Sequence, residues 1–393
     1  MADRKFTERD IGVIKEWYAL NQASRAEEKF IPLFESKVRE IFKVEHVLPV
    51  SNAMGGLQLA LQALDVGPGD EVIVDPIVVF GGLSALYVNA VPVFSDIDRE
   101  TFLMDPTSVE KSITDRTKAI ICTHLLGNMC DMSELLKISR KHGIPIIEDC
   151  AQSIGATQGG KYAGTFGVIG VFSFNHRKQV SLGQGGFMIV NDSHLYEEIR
   201  SVLQFGRVPP RLAWNFAMPS IVAAAATVQL DYLEDYISQD IELAGLYTKA
   251  IGGAKFLVPQ KTYPNTRHVY HIWGALFEGE KHGVSLEKFR DICKEEGVDY
   301  FLFGFLPYGV ENLPPSPVYR YAVFNEPRAY KYGCPYTCKF REGRRNINEC
   351  PNAEYVVPRL FNSVLSPLRS EYVKDQARRL SRAVARSEGR RAT

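Results

Sequence analysis

No run of the 393 residues stays apolar for the roughly 18 positions that a membrane-crossing helix needs. The most apolar stretches, 168–174 and 221–228, read as buried core. Net charge is lacking too. Forty-six Lys+Arg balance 46 Asp+Glu, which removes the basic footprint of a nucleic-acid binder and the polybasic surface of a membrane-docked protein. Cysteine is scarce and odd in number, seven at irregular positions, which fits reduced thiols better than a disulfide framework. Cys334, Cys338 and Cys350 come nearest to a zinc pattern, but no second close pair or nearby His completes four ligands, so no metal is expected. Met1-Ala2-Asp3-Arg4-Lys5 leads into polar residues rather than an apolar signal region, and a cytoplasmic location is expected. Internal repeats and low-complexity segments are missing, and 387–393 reads as a frayed tail.

What is present is the composition of a globular enzyme, 45% hydrophobic and 23% charged, in a chain long enough for two or three folding units. From 71 to 190 one grammar recurs, a short apolar run followed by a helical pattern. The runs 71–74, 91–94, 118–123, 144–148, 168–174 and 186–190 are continuous rather than alternating, as in strands covered on both faces. Residues 131–143 carry a polar start, helical spacing and a Gly stop. This alternation predicts an α/β fold with a mostly parallel sheet. After about 235 the grammar changes to a charged helical stretch, a strand over 267–277 and a helix over 285–296. A large domain over 1–235, including an N-terminal helical segment, and a smaller α+β domain over 236–393 are therefore expected. Residues 303–352, dense in Pro, Gly, Tyr and Asn, read as an extended loop region able to line a site.

Three segments are candidates for chemistry. Ser51-Asn52-Ala53-Met54-Gly55-Gly56 precedes a helical pattern, and small residues at a helix start leave N–H groups for an anion. They equally suit a capped surface helix. Glu148-Asp149-Cys150-Ala151-Gln152 closes a strand at the end where open α/β sheets bind ligands, although Asp149 also suits a helix cap. The third segment ends a strand at Phe172-Ser173-Phe174, continues through Asn175-His176-Arg177-Lys178 and reaches Gly183-Gln184-Gly185-Gly186. A buried lysine there can serve as a Schiff-base nucleophile, while most lysines are solvated surface groups. A Rossmann dehydrogenase is set aside, because the glycine run precedes a strand instead of opening a helix.

In this order the segments resemble the DegT/DnrJ/EryC1/StrS sugar aminotransferases, fold-type I enzymes that use pyridoxal phosphate. The similarity runs over about 34–378. It is carried by 51–57, by Gly-Asp-Glu-Val-Ile-Val at 69–74, Asp-Ile-Asp at 96–98, Thr-Lys-Ala-Ile-Ile at 117–121, His-Leu-x-Gly at 124–127 and Glu-Asp-x-Ala-Gln at 148–152. Gly-Thr-Phe-Gly at 164–167, Phe172 to Lys178 and 183–186 complete it. The resemblance implies that Lys178 forms a Schiff base with the cofactor aldehyde and shuttles a proton, and that Asp149 pairs with the ring nitrogen. It further implies that Gln152 bonds the ring hydroxyl, and that Phe80 stacks on the ring, a residue that as plain sequence also suits the core. Ser173 and the backbone at Ala53 and Met54 would hold the phosphate. Asn215, by itself a turn former, would reach in from a second subunit, making a homodimer with a shared site. The implied reaction moves an amino group from glutamate or glutamine to a keto sugar, nucleotide-linked, or to a keto-cyclitol, for amino-sugar, antibiotic or polysaccharide biosynthesis.

The chain departs from the family pattern at Met54 (usually Thr), Ala217 (usually Arg), Gln184 (usually Glu) and Asn175-His176-Arg177. These changes leave the cofactor chemistry in place and the acceptor open. Two alternatives accompany the main reading. One is a dehydrase of the same family, whose members carry His where Lys178 stands. The other is a non-catalytic regulatory relative, which would have no chemical need for such a lysine.

Overall fold

The computed structural model describes residues 7–203, 213–299, 301–305, 314–325, 349–365 and 370–389. Cys334, Cys338 and most of the 303–352 loop region therefore lie outside the described residues. Two helices open the chain, α1 (Glu8–Gln22) and α2 (Ala26–Phe42), followed by β1 (His46–Val50) and α3 (Ala53–Ala63). Strands and helices then alternate as β2 (Glu71–Val74), α4 (Val79–Tyr87), β3 (Val91–Phe94), α5 (Pro106–Ser112), β4 (Thr117–Thr123), α6 (Met132–His142) and β5 (Ile146–Asp149). A short hairpin, β6 (Thr157–Gln158) and β7 (Lys161–Tyr162), leads into β8 (Ile169–Ser173), β9 (Gly186–Val190), α7 (Ser193–Val202) and α8 (Ser220–Gln229).

Seven of these strands form the central sheet in the order β1-β9-β8-β5-β4-β2-β3. β9 runs antiparallel to both neighbours, and the remaining adjacent pairs are parallel. Val72, Ile73, Ile120, Ile121, Ile147, Ile169, Val171 and Phe172 are fully buried, as continuous apolar runs require in a sheet covered on both faces. Helix α6 illustrates the local determinants. Asp131 caps it by accepting the Glu134 N–H at 3.1 Å, and Gly143 ends it in a left-handed conformation at φ 68°.

Two expectations are revised. β1 is an additional edge strand, and its Pro49 is tolerated because an edge strand needs no complete ladder of N–H donors. The strand expected over 267–277 divides in two. Tyr270 turns back at φ 49°, its N–H taken by His268 Nδ1 at 2.9 Å, so the run cannot stay extended. Thr266–Arg267 joins the small β6–β7 sheet, and Ile272–Phe277 joins another sheet.

That other sheet is antiparallel and four-stranded. It takes Leu257–Pro259, Ile272–Phe277, Leu360–Val364 and Leu302–Phe303 in spatial order. Helices Leu233–Ala250, Leu286–Glu295 and Ser370–Ser387 contribute to a second apolar cluster around Tyr247, Trp273, Phe277, Phe289 and Phe361. Ser285 caps the middle helix through the Lys288 N–H. The parallel strands of the large sheet bring Val74, Thr123, Asp149 and Ser173 to one edge, where open α/β sheets place ligands. No helix among the described residues is long and apolar enough to cross a membrane.

Candidate active site

Asp149 closes β5 and is 2% exposed. Its Oδ1 accepts the Ala151 N–H at 3.0 Å, the single protein donor that reaches it among the described residues. Burial raises its pKa, opposed by that hydrogen bond and by the nearby charge of Lys178. Lys178 follows β8 on a tight turn. The Lys178 N–H donates to the Asn175 carbonyl at 2.9 Å, and Ser173 Oγ accepts the Asn175 N–H at 3.2 Å. Desolvation lowers the Lys178 amine to about 8, while the Asp149 carboxylate pulls it upward. A sizeable neutral fraction near physiological pH makes this amine a competent nucleophile. His176 and Arg177 on the same turn are exposed.

The start of α3 lies beside the same edge. Asn52 caps the helix by accepting the Gly55 N–H at 2.8 Å, and the first-turn N–H groups have no partner within the helix. Ser173 stands in register opposite Gly186, and a Cβ on Gly186 would lie 3.4 Å from the Ala53 nitrogen and 2.2 Å from the Phe172 carbonyl oxygen. Gly186, in register with Ser173, thus brings the end of β8 close to the start of α3, where first-turn N–H groups suit an anion.

Gln152 is half-buried and its Oε1 accepts the Leu126 N–H at 2.9 Å, so the orientation of its amide is fixed. Phe80 is half-buried in the first turn of α4. Asn215 is exposed on a segment that packs along the start of α3. The Ser51 N–H reaches the Phe216 carbonyl at 2.6 Å, and Ala217 bridges Val50. No hydrogen bond among the described residues joins Asn215 to Lys178, Asp149, Gln152 or Ser173. The structure therefore brings Asp149, Lys178, Ser173, Ala53 and Met54 to one sheet edge and leaves Asn215 facing outward.

Two further features escaped the reading of single segments. The first is a buried node in which Glu148 accepts the N–H groups of Gly164 (2.9 Å), Phe166 (2.7 Å) and Gly167 (2.7 Å), together with His124 Nε2 at 2.9 Å. The Cys130 N–H donates to His124 Nδ1 at 3.2 Å, which places the ring hydrogen on Nε2, directed at Glu148. Cys122, His124 and Cys130, and likewise His124, Glu148 and Cys150, bring their ligand-type atoms within 4.8 Å. Glu148 and His124 are already engaged in these hydrogen bonds, which define a structural node. The second feature is Asp75, just past β2. Its Oδ1 accepts the N–H groups of Ile77 (2.9 Å) and Val78 (2.7 Å), and its Oδ2 accepts the Thr123 hydroxyl at 2.5 Å. An acid closing a buried strand at the ligand end of the sheet, as Asp149 does, is the signal that could have marked it.

A fold-type I sheet with a lysine and a buried acid at its edge defines a transferase of the pyridoxal-phosphate class. The chain matches the model of the DegT/DnrJ/EryC1/StrS aminotransferase family over residues 8–316, and it belongs to that family. It is an aminotransferase. It is 37% identical over 251 residues to GDP-perosamine synthase of Escherichia coli O157:H7, covering 62% of this chain and 68% of that one. To the L-glutamine:2-deoxy-scyllo-inosose aminotransferase of Micromonospora echinospora it is 31% identical over 284 residues, 68% of this chain and 67% of the relative. The crystal structure of the aminotransferase TlmJ from Streptoalloteichus hindustanus superimposes with a TM-score of 0.80 at 21% identity, covering 98% of both chains, a likeness of fold.

The residues present fit pyridoxal phosphate, the cofactor that the family implies. Asp149 is a buried carboxylate with spare acceptor capacity, and Lys178 is a desolvated amine beside it.

Proposed function

We propose that the protein transfers an amino group from glutamate or glutamine to a keto sugar, nucleotide-linked, or to a keto-cyclitol, using pyridoxal phosphate held at Lys178. The observation that carries this reading is the pairing of a lysine lowered to about 8 with the buried Asp149 carboxylate at the ligand edge of the sheet. One relative's name specifies a GDP-linked product and the other's a glutamine donor with a cyclitol acceptor, and both support the substrate class.

Bound there, pyridoxal phosphate supplies an aldehyde to receive the amino group and a ring that withdraws electrons from the reacting carbon. Asp149 holds a proton on the ring nitrogen, a task suited to a buried carboxylate beside the Lys178 amine. Lys178 Nζ, alternately neutral and protonated, carries the proton at the reacting carbon. Gln152, oriented by the Leu126 N–H, bonds the ring hydroxyl, and Phe80 covers one ring face. Ser173 and the Ala53-Met54 backbone hold the phosphate. Asn215, exposed on a single chain, completes the same phosphate site of a partner subunit, so the working unit is a cytoplasmic homodimer. A boundary near 235 separates the cofactor-binding domain from the smaller one. The second apolar cluster gathers residues from Leu243 onward, while Tyr236, Ile237, Val269, Ile272 and Leu360 join the first, so the two units share a core.

The test is transfer from glutamate and glutamine to a panel of nucleotide-linked keto sugars and keto-cyclitols. The wild-type protein is expected to aminate one of them, and Lys178→Ala to fold normally and lose turnover. Turnover retained in Lys178→Ala would overturn the reading.

A further inference from the structure

Asp75 is 5% exposed at the sheet edge that carries Asp149 and Lys178. Its three hydrogen bonds come from two backbone N–H groups and the Thr123 hydroxyl. An asparagine would accept the same two N–H groups and meet Thr123 with its amide, so the local shape does not call for a carboxylate. The charge is nevertheless costly. Burial pushes Asp75 up to about 6 against the pull of its three hydrogen bonds, and the Asp149 carboxylate adds to the rise. Among the described residues, the titratable groups that act on it are Asp149, from β5, and the Cys350 thiol, whose own pKa Asp75 helps to raise. Thr123 stands between the two acids, hydrogen-bonded to Asp75 and paired in strand register with Asp149. An expensive charge that geometry does not need, held beside a second carboxylate at a ligand edge, is the signature of a functional group.

We propose that Asp75 is a positioning residue for the transfer reaction, acting through Thr123 on Asp149, an inference that rests on the function proposed above. Ionised Asp75 holds the Thr123 hydroxyl hydrogen on its own side. Asp149 then receives no donation from Thr123 and keeps its full basicity toward the ring nitrogen of the ligand. The same carboxylate ties the turn of Ile77 and Val78 that leads into Phe80. With a neutral amide at position 75, the Thr123 oxygen accepts instead, and its hydrogen becomes available to Asp149.

The experiment compares wild type, Asp75→Asn, Thr123→Val and the double variant. Its readouts are the nitrogen-15 signal of ring-labelled pyridoxal phosphate, cofactor affinity, kcat and KM, and the pH dependence of unfolding of the cofactor-free protein. Asp75→Asn is expected to fold, to move the ring signal toward the unprotonated position, and to lower cofactor affinity and kcat about tenfold, the effect of about one pKa unit at Asp149. KM for the acceptor should stay nearly unchanged. The double variant, which has no hydroxyl to redirect, is expected to regain the protonated ring signal, a rescue that a merely structural role would not produce. An unchanged ring signal in Asp75→Asn, equal loss in single and double variants, or failure of Asp75→Asn to fold would each overturn the proposal. A wild-type protein that forms no adduct at Lys178 would overturn the aminotransferase function itself. The unfolding profiles distinguish that case, because they report the buried Asp75 charge without cofactor.

Discussion

At the scale of single residues, burial moves two groups at this sheet edge, Lys178 and Asp75, from their ordinary ionisation, and each move has a measurable consequence. Lys178, lowered to about 8 by desolvation and held up by Asp149, should react with an amine-directed reagent in the cofactor-free protein with a midpoint near 8. Surface lysines should show midpoints near ~10.4. Asp149→Asn should lower the Lys178 midpoint further, and peptide mapping of labelling rates against pH checks both expectations. For Asp75 the folded pKa of about 6 lies above its ordinary 3.8. Its contribution to stability is therefore fully present below pH 4 and is lost as pH rises through 6. Asp75→Asn should thus be more stable than wild type at pH 7 by up to about 3 kcal/mol, with the difference closing toward pH 4. Thermal unfolding across pH 4–8 measures it.

The placement of Lys178, Asp149, Gln152 and Ser173 at the ligand end of the sheet was legible because each ends or follows a recognisable strand in a fixed order. Asp75 was not, because an acid after a strand reads as a turn residue. Its hydrogen-bond partner Thr123 lies 48 positions away, which no local pattern reveals.

At the scale of elements, the strands that hold the site were legible as continuous apolar runs, since double-sided burial leaves no polar alternation to blur them. β1 escaped because a five-residue edge strand containing Pro49 lacks that signal, and the break at Tyr270 depends on a side-chain bond from His268. The node that clamps β4, β5 and the Gly164–Gly167 turn was visible as a motif but not as a contact. Glu148→Gln replaces one acceptor oxygen with a donor facing backbone N–H groups, and should destabilise the protein by about 3 kcal/mol or more. Chemical denaturation checks this as a lower midpoint with an unchanged slope. Gly186→Ala would press a Cβ to 2.2 Å from the Phe172 carbonyl, a backbone clash that cannot be relieved by rotating a side chain. Its cofactor affinity, measured by titration, should fall together with stability.

At the scale of the whole molecule, the central claim is an aminotransferase built on a sheet edge and completed by a second copy of the chain. Asn215, exposed beside the start of α3, supports the shared-site part of that claim. If Asn215 serves the partner's site, Lys178→Ala and Asn215→Ala proteins, each inactive alone, should complement one another when refolded together. Random pairing gives half heterodimers with one intact site of two, so about a quarter of wild-type activity should return. No recovery would place Asn215 in its own subunit's site. The most direct test of the central claim is borohydride reduction of the protein after addition of pyridoxal phosphate, with mass mapping of the modified peptide. The structure predicts one stable adduct, on Lys178, and its disappearance in Lys178→Ala; an adduct on another lysine, or none, would contradict the account.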